Sequence, residues 1–172
     1  MLIFARHLAA VLLLPFVVTV LVPRWALNAW ATSDTRWISG SLGESAARIG
    51  AMILFAGGIA LFVWCIALFA RVGQGTLAPW DPTQRLIAVG PYRHSRNPMI
   101  TSVLAILAAE ALFLGSRVLA IWCALFASFN HLYFLLSEEP GLRHRFGESY
   151  DEYKRAVPRW LPRFTPWRGA GA

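Results

Sequence analysis

Three polar clusters in this sequence could do chemistry. The first is GPYRHSRNPM, residues 90–99. Its prolines fix φ, Gly90 permits close backbone approach, and Asn97, preceding Pro98, is expected to be extended. Pro98 suits the first turn of a following helix, whose unbonded N–H groups favour a carboxylate. The second cluster is the carboxylate pair Glu138-Glu139, which ends an apolar run. Negative charge at a helix C-terminus is unfavourable and needs a compensating cation. One carboxylate could accept hydrogen bonds from a ligand's hydroxyls or ammonium. The other could pair with Arg143 or with Arg93 and Arg96. The third cluster, Asn130 and His131, lies inside the same apolar run, where polar groups are costly and informative. Seven residues separate His131 from Glu138 and Asn130 from Ser137, so an ideal helix stacks each pair, roughly 10 Å apart in depth. This polar stripe could contact a substrate, or it could serve only helix–helix hydrogen bonding. His131 and Glu138 are the candidate bases. An anion-favouring helix start, an arginine and acidic acceptors together suit a zwitterion with ribose hydroxyls.

The elements that must position these groups are membrane helices. Hydrophobic residues make up 57% of the 172 and charged ones only 15%, the wrong balance for a soluble domain. Four apolar runs, at about residues 3–22, 49–70, 98–115 and 117–137, are candidate spans. Tryptophans 25, 30 and 37 in the first connection suit the headgroup level, and Gly57-Gly58 suits close helix packing. Arg24, Arg36, Arg48 and Arg117 fall on one side of this arrangement. The other twelve of the sixteen Lys and Arg fall on the opposite side, which places both termini in the cytoplasm. The net charge of +7 then points to anionic lipid headgroups and not to nucleic acid. Cys65 and Cys123 read as buried apolar residues, and no CxxC, HExxH or P-loop pattern suggests a metal or nucleotide site. Glu110 is expected to pair with Arg117.

The expected fold is therefore all-α: a polytopic bundle of about four spans in a single domain, residues 1–172, with no Rossmann domain. Residues 1–70 supply two spans and look free of chemistry. Residues 71–163 hold the polar clusters. Glycines and prolines break up residues 71–97, including the weak triplet Gly73-Gln74-Gly75. Leu142, Phe146, Tyr150, Tyr153 and Val157 form one apolar stripe. That spacing predicts an amphipathic helix of about 18 residues, lying on the membrane or folded over the bundle and stopped by Pro158.

Four segments occur in a telling order: GQGT (73–76), GPYRHSRNPM (90–99), EE (138–139) and FGESYDEYKRAVPRWLP (146–162). In this the chain resembles the integral membrane methyltransferases related to isoprenylcysteine carboxyl methyltransferase, and phospholipid N-methyltransferases are similar in the same half. The resemblance implies an S-adenosylmethionine site at the cytoplasmic end of the bundle, with a lipid-soluble acceptor arriving from the bilayer and a methyl group passing to N, O or S. It puts Gly90, Pro91, Tyr92, Arg96, Asn97, Pro98, Glu138 and Glu139 at cofactor positions. Arg143 and Arg145, with Asn130 and His131, become candidates for binding the acceptor, and His131, Glu138 and Arg145 for catalysis. The pattern departs from the family's RHPxYxG at Asn97, Ile100 and Ser102, and Ser137 stands where an arginine is common. These departures leave open a non-catalytic binding or assembly protein of the same fold. A small transporter lined by Glu110, Asn130 and His131 is the third class.

Overall fold

A computed structural model describes residues 14–30, 40–73 and 86–169. Residues 74–85, with most of the GQGT segment, and Trp37 lie outside the described residues. The chain is helical, with no β-strand among the described residues. Helix α1 is Leu14–Trp30, α2 is Leu42–Val72, α3 is Pro98–Leu114, α4 is Arg117–Phe146 and α5 is Glu148–Ala156. Two of these, α2 and α4, are long and apolar enough to cross a membrane, while α1 and α3 are shorter. Large apolar side chains on the long helices face outward: Ile53 is 70% exposed and Phe129 68%. A soluble core helix would bury them.

Local signals set the helix limits. Helix α2 begins earlier than its apolar run, because Ser41 and Glu44 cap its start. Glu44 N–H donates to Ser41 Oγ at 3.1 Å, and Gly40 N–H donates to Glu44 Oε2 at 2.6 Å. Helix α3 starts on Pro98 and stops at Gly115, which takes φ +63°. Ser116 then caps α4 by accepting Leu119 N–H at 3.2 Å. This two-residue turn folds α4 back along α3 and returns its C-terminal part to the N-terminus of α3. Glu110 Oε2 is buried without a hydrogen-bond partner among the described residues.

Widened π-turns interrupt α1 at Val17–Leu21 and α4 at Phe134–Glu138. Both end two residues before a proline, Pro23 and Pro140. A proline has no N–H and its ring pushes on the carbonyl four residues back. The ladder therefore closes one residue wider, with Val22 N–H bonding the Val17 carbonyl and Glu139 N–H the Phe134 carbonyl.

Helices α2 and α3 form the most extensive pair. Gly58 sits at their closest approach: a Cβ there would lie 3.0 Å from Ile106 Cγ1 and 3.1 Å from the Ser102 carbonyl oxygen. Around Gly57 there is open space. Gly58→Ala is therefore expected to lower stability by about 1–3 kcal/mol through overpacking, while Gly57→Ala is neutral or slightly stabilising. Thermal melting of the two variants in detergent checks this; equal melting temperatures would remove the packing role from Gly58.

Candidate functional site

The segment 86–97 forms an elbow against the C-terminal end of α2. Gly90 adopts φ +57°, and a Cβ there would come within 3.1 Å of Leu68 and 3.4 Å of Trp64. Glycine is thus required by both its backbone angle and its neighbours. Residues Gly90–Arg93 make one 3₁₀ turn, closed by His94 N–H to the Pro91 carbonyl at 3.0 Å. Asn97 has φ −126° and ψ 52°, short of the extended form expected before proline. Its carbonyl turns back to accept Thr101 N–H and Thr101 Oγ1–H, each at 3.0 Å.

Glu139 ties this elbow to α4. Its Oε1 accepts from Arg96 Nη1 and from Arg159 Nε, each at 2.7 Å, and its Oε2 lies 2.8 Å from Lys154 Nζ. The apolar span of α4 ends at Leu136, so this cluster lies just beyond it. Burial pushes the Glu139 carboxyl up. The hydrogen bonds from Arg159 and Lys154 and the charge of Arg96 outweigh burial and hold it at about 2. Both oxygens are engaged within the protein, so Glu139 serves as the buried counter-ion of the elbow while it also lines the hollow.

The tail completes the cluster. The predicted 18-residue helix is broken at Gly147, which takes φ +53° and separates α4 from α5. The apolar stripe survives the break and turns onto protein: Tyr150, Tyr153 and Val157 are buried against Leu86 and Ala88 of the elbow. Tyr153 O–H donates to the Tyr92 carbonyl at 2.6 Å. Residues 157–167 then run back along the elbow. Arg96 N–H donates to the Pro158 carbonyl at 2.9 Å, Arg163 N–H to the His94 carbonyl at 2.9 Å, and Trp167 N–H to the Arg93 carbonyl at 3.0 Å.

Between elbow, α4 and α5 lies a cavity of about 520 Å³. Its polar lining comes from Arg96, Asn97, Asn130, Glu138, Glu139 and Arg145. Tyr92, Phe134 and Tyr150 supply aromatic faces, and Ile100 sits on the wall at the position where the resemblance expects tyrosine. Residues 1–70 are not idle, because Leu14 and Phe69 also line the cavity. Glu138 makes no hydrogen bond or ion pair among the described residues. Burial raises its carboxyl to about 7; Arg145 opposes this and Glu139 adds to it. Arg96 Nε is likewise buried without a partner.

The sequence model of the phospholipid methyltransferase family matches residues 46–149, more than half of the chain. The chain belongs to the phospholipid methyltransferase family. Searches of curated proteins and of solved structures find no significant match. The family is one of membrane-associated methyltransferases. In this phospholipid methyltransferase relative the matched region holds the elbow, α3, α4 and both glutamates. Lys154, Arg159 and the returning tail lie outside it.

Several of the residues singled out above do not reach the cavity of this family member. His131 is directed away: its Nδ1 accepts Trp160 Nε1–H at 3.0 Å, and the two rings stack with centroids 6.3 Å apart. The π-turn explains this. It shifts the register of α4 by one residue, so Asn130 and not His131 shares the cavity wall with Glu138. Arg143 lies on the surface, ion-paired to Asp151 at 3.1 Å. Gly90, Pro91 and Pro98 shape the elbow without lining the hollow. Ser102 is fully buried, with its backbone carbonyl beside Gly58 and its hydroxyl donated to the Met99 carbonyl of its own helix. Sequence reasoning missed Lys154 and Arg159 as partners of Glu139, and Tyr150 on the wall. The only signal for them was an excess of cations near an unbalanced glutamate pair.

Proposed function

We propose that this chain is an S-adenosylmethionine-dependent methyltransferase of the membrane, with its site in the cavity between the elbow and the polar end of α4. The observation that carries the reading is the Arg96–Glu139 tie at 2.7 Å, which joins residues 43 apart and leaves Glu138 and Arg96 Nε without partners beside a hollow. The hollow's volume of about 520 Å³ lies within the range typical of small-molecule sites. Its donors and acceptors match the cofactor: a cation for a carboxylate, a carboxylate for hydroxyls or an ammonium, and aromatic faces for a base. Arg96 would hold the carboxylate, Glu138 the hydroxyl or ammonium side, and Tyr92, Phe134 and Tyr150 the flat ring. When bound, S-adenosylmethionine supplies a methyl group on a positively charged sulfonium.

The residues of this chain orient, dry and, where needed, deprotonate. Ile100, Phe69 and Phe134 exclude water from the reacting region, which favours dispersal of the sulfonium charge. Asn130 spends an amide N–H on the Phe126 carbonyl at 2.8 Å and can offer its carbonyl oxygen to an acceptor's donor. An amine acceptor would need a base. Glu138 is the group placed for that, since His131 is held by Trp160 outside the cavity. Arg145 would orient the acceptor's polar end.

The acceptor is lipid-soluble, carries N, O or S as nucleophile, and reaches the cavity from the bilayer. In this arrangement α1 and α3 join α2 and α4 as a third and fourth span. The elbow and the tail lie at the cytoplasmic face, as the arginine distribution favours.

Titration of the purified protein with S-adenosylhomocysteine tests the cofactor, and transfer of a labelled methyl group into a membrane lipid extract tests the reaction. Saturable binding with transfer supports the proposal. Binding without transfer would make the chain a non-catalytic member, and absence of binding would overturn the site.

A further inference from the structure

We propose that residues 160–168 form a docking strap that seats on an anionic bilayer surface, with Leu161 and Phe164 inserted and Arg168 against lipid phosphates. The strap is shaped before any partner arrives. Backbone bonds from Arg163 N–H to the His94 carbonyl and from Trp167 N–H to the Arg93 carbonyl, at 2.9 and 3.0 Å, fasten it to the elbow. His94 Nδ1 lies 2.7 Å from the Arg163 carbonyl. Pro162 and Pro166 restrict it further. Held in this way, the strap leaves Leu161 81% exposed and Phe164 fully exposed. Large apolar groups fixed outward on a rigid frame mark an interaction surface.

Depth identifies the occupant. Trp160 stacks on His131 and meets Phe134 edge-on, with ring centroids 5.7 Å apart. His131 precedes Leu136, the last apolar residue of the α4 span, by five residues, or about 7.5 Å of helix rise. Trp160 therefore lies on the membrane side of that boundary; Leu161 follows it directly, and Phe164 stands four residues on, next to the point where Arg163 is fastened to the elbow. Leu132, Leu135 and Leu136 of α4 face outward at the same level. An apolar band built at one depth by two separate segments fits hydrocarbon, and the tryptophans beside it fit the headgroup edge.

Charge selects the lipid. Arg159 is turned inward to Glu139, and Arg163 is turned inward to the Ala156 carbonyl at 2.7 Å. Arg143 and Lys154 are taken up by Asp151 and Glu139, which leaves Arg168 as the exposed cation of the strap itself. Such a cation prefers anionic headgroups to zwitterionic ones.

This inference rests on α4 being a membrane span, and its test separates the two claims. The full chain with Cys123→Ser, whose remaining Cys65 is fully buried, carries a fluorophore on Phe164→Cys or, in a second sample, on Leu125→Cys in the middle of α4. Each is placed in lipid nanodiscs of phosphatidylcholine, with or without phosphatidylglycerol. The label at position 164 is expected to be quenched by nitroxide-bearing lipids and shielded from aqueous iodide, more strongly with phosphatidylglycerol. Arg168→Gln should shift that docking equilibrium about five-fold, the effect of one basic residue near an anionic surface. A label at 164 open to iodide while the label at 125 is quenched by lipid would overturn the strap alone. Shielding at 164 from both quenchers would mark a protein partner and overturn it too. Absence of lipid quenching at 125 would instead overturn the membrane span beneath both readings.

Discussion

Replacing Glu139 by glutamine is expected to destabilise the folded chain by about 3–5 kcal/mol, because it leaves Arg96, Lys154 and Arg159 gathered around a neutral group. Arg96 and Arg159 dominate, with side chains only 10% and 15% exposed. Lys154, at 45%, is better solvated, and Lys154→Met should cost less than about 1 kcal/mol. The isosteric amide preserves shape, so the loss reports charge and not packing. The pH dependence has a definite sign. The folded carboxyl titrates at about 2, below its ordinary value of 4.5. Its contribution is complete above the ordinary value and disappears as pH falls from there towards 2. Melting in detergent should show a large gap between wild type and Glu139→Gln at pH 7 that closes on acidification. A melting temperature unchanged at pH 7 would show that the three cations do not depend on Glu139.

Glu138→Gln should do the opposite: an intact fold with methyl transfer reduced by about 100-fold or more, the usual cost of removing a positioned acid–base group. Glu138 lines the cavity without a hydrogen-bond partner among the described residues, and burial brings its carboxyl to about 7. The wild-type rate is therefore expected to rise through about pH 7 and then level, and the variant should lose that rise. Stability moves the other way. Because the folded value lies above the ordinary 4.5, ionisation of Glu138 costs stability as pH rises from there, in full above about 7. Glu138→Gln should therefore raise the melting temperature more at pH 8 than at pH 5. Unchanged turnover with an unchanged pH profile would remove Glu138 from the reaction.

The two glutamates are adjacent in sequence, and nothing in that adjacency says which one is spent on structure. Their proximity to the elbow was legible, because a charge pair at a helix end and two arginines in a stiff loop need one another. The limits of α3 and the start of α4 were also readable, since Pro98, Gly115 and Ser116 are strong local punctuation. The early start of α2 was written in Ser41 and Glu44, a capping pattern hidden by attention to hydropathy. Other features were out of reach. The stacking of His131 beneath Glu138 assumed an unbroken α-helix, and one wide turn ahead of Pro140 invalidated it. The stripe from Leu142 to Val157 reads alike whether it faces lipid or protein, so the contribution of Lys154 and Arg159 depended on a fold-back that periodicity cannot reveal.

The fold-back bears on how the chain is made. The carbonyls of Arg93 and His94 find their backbone partners, among the described residues, in Trp167 and Arg163, some seventy residues downstream. A ribosome has synthesised every helix described here before it reaches those partners. Until then those two oxygens must bond to water, and this end of the bundle closes only after every helix described here has been made.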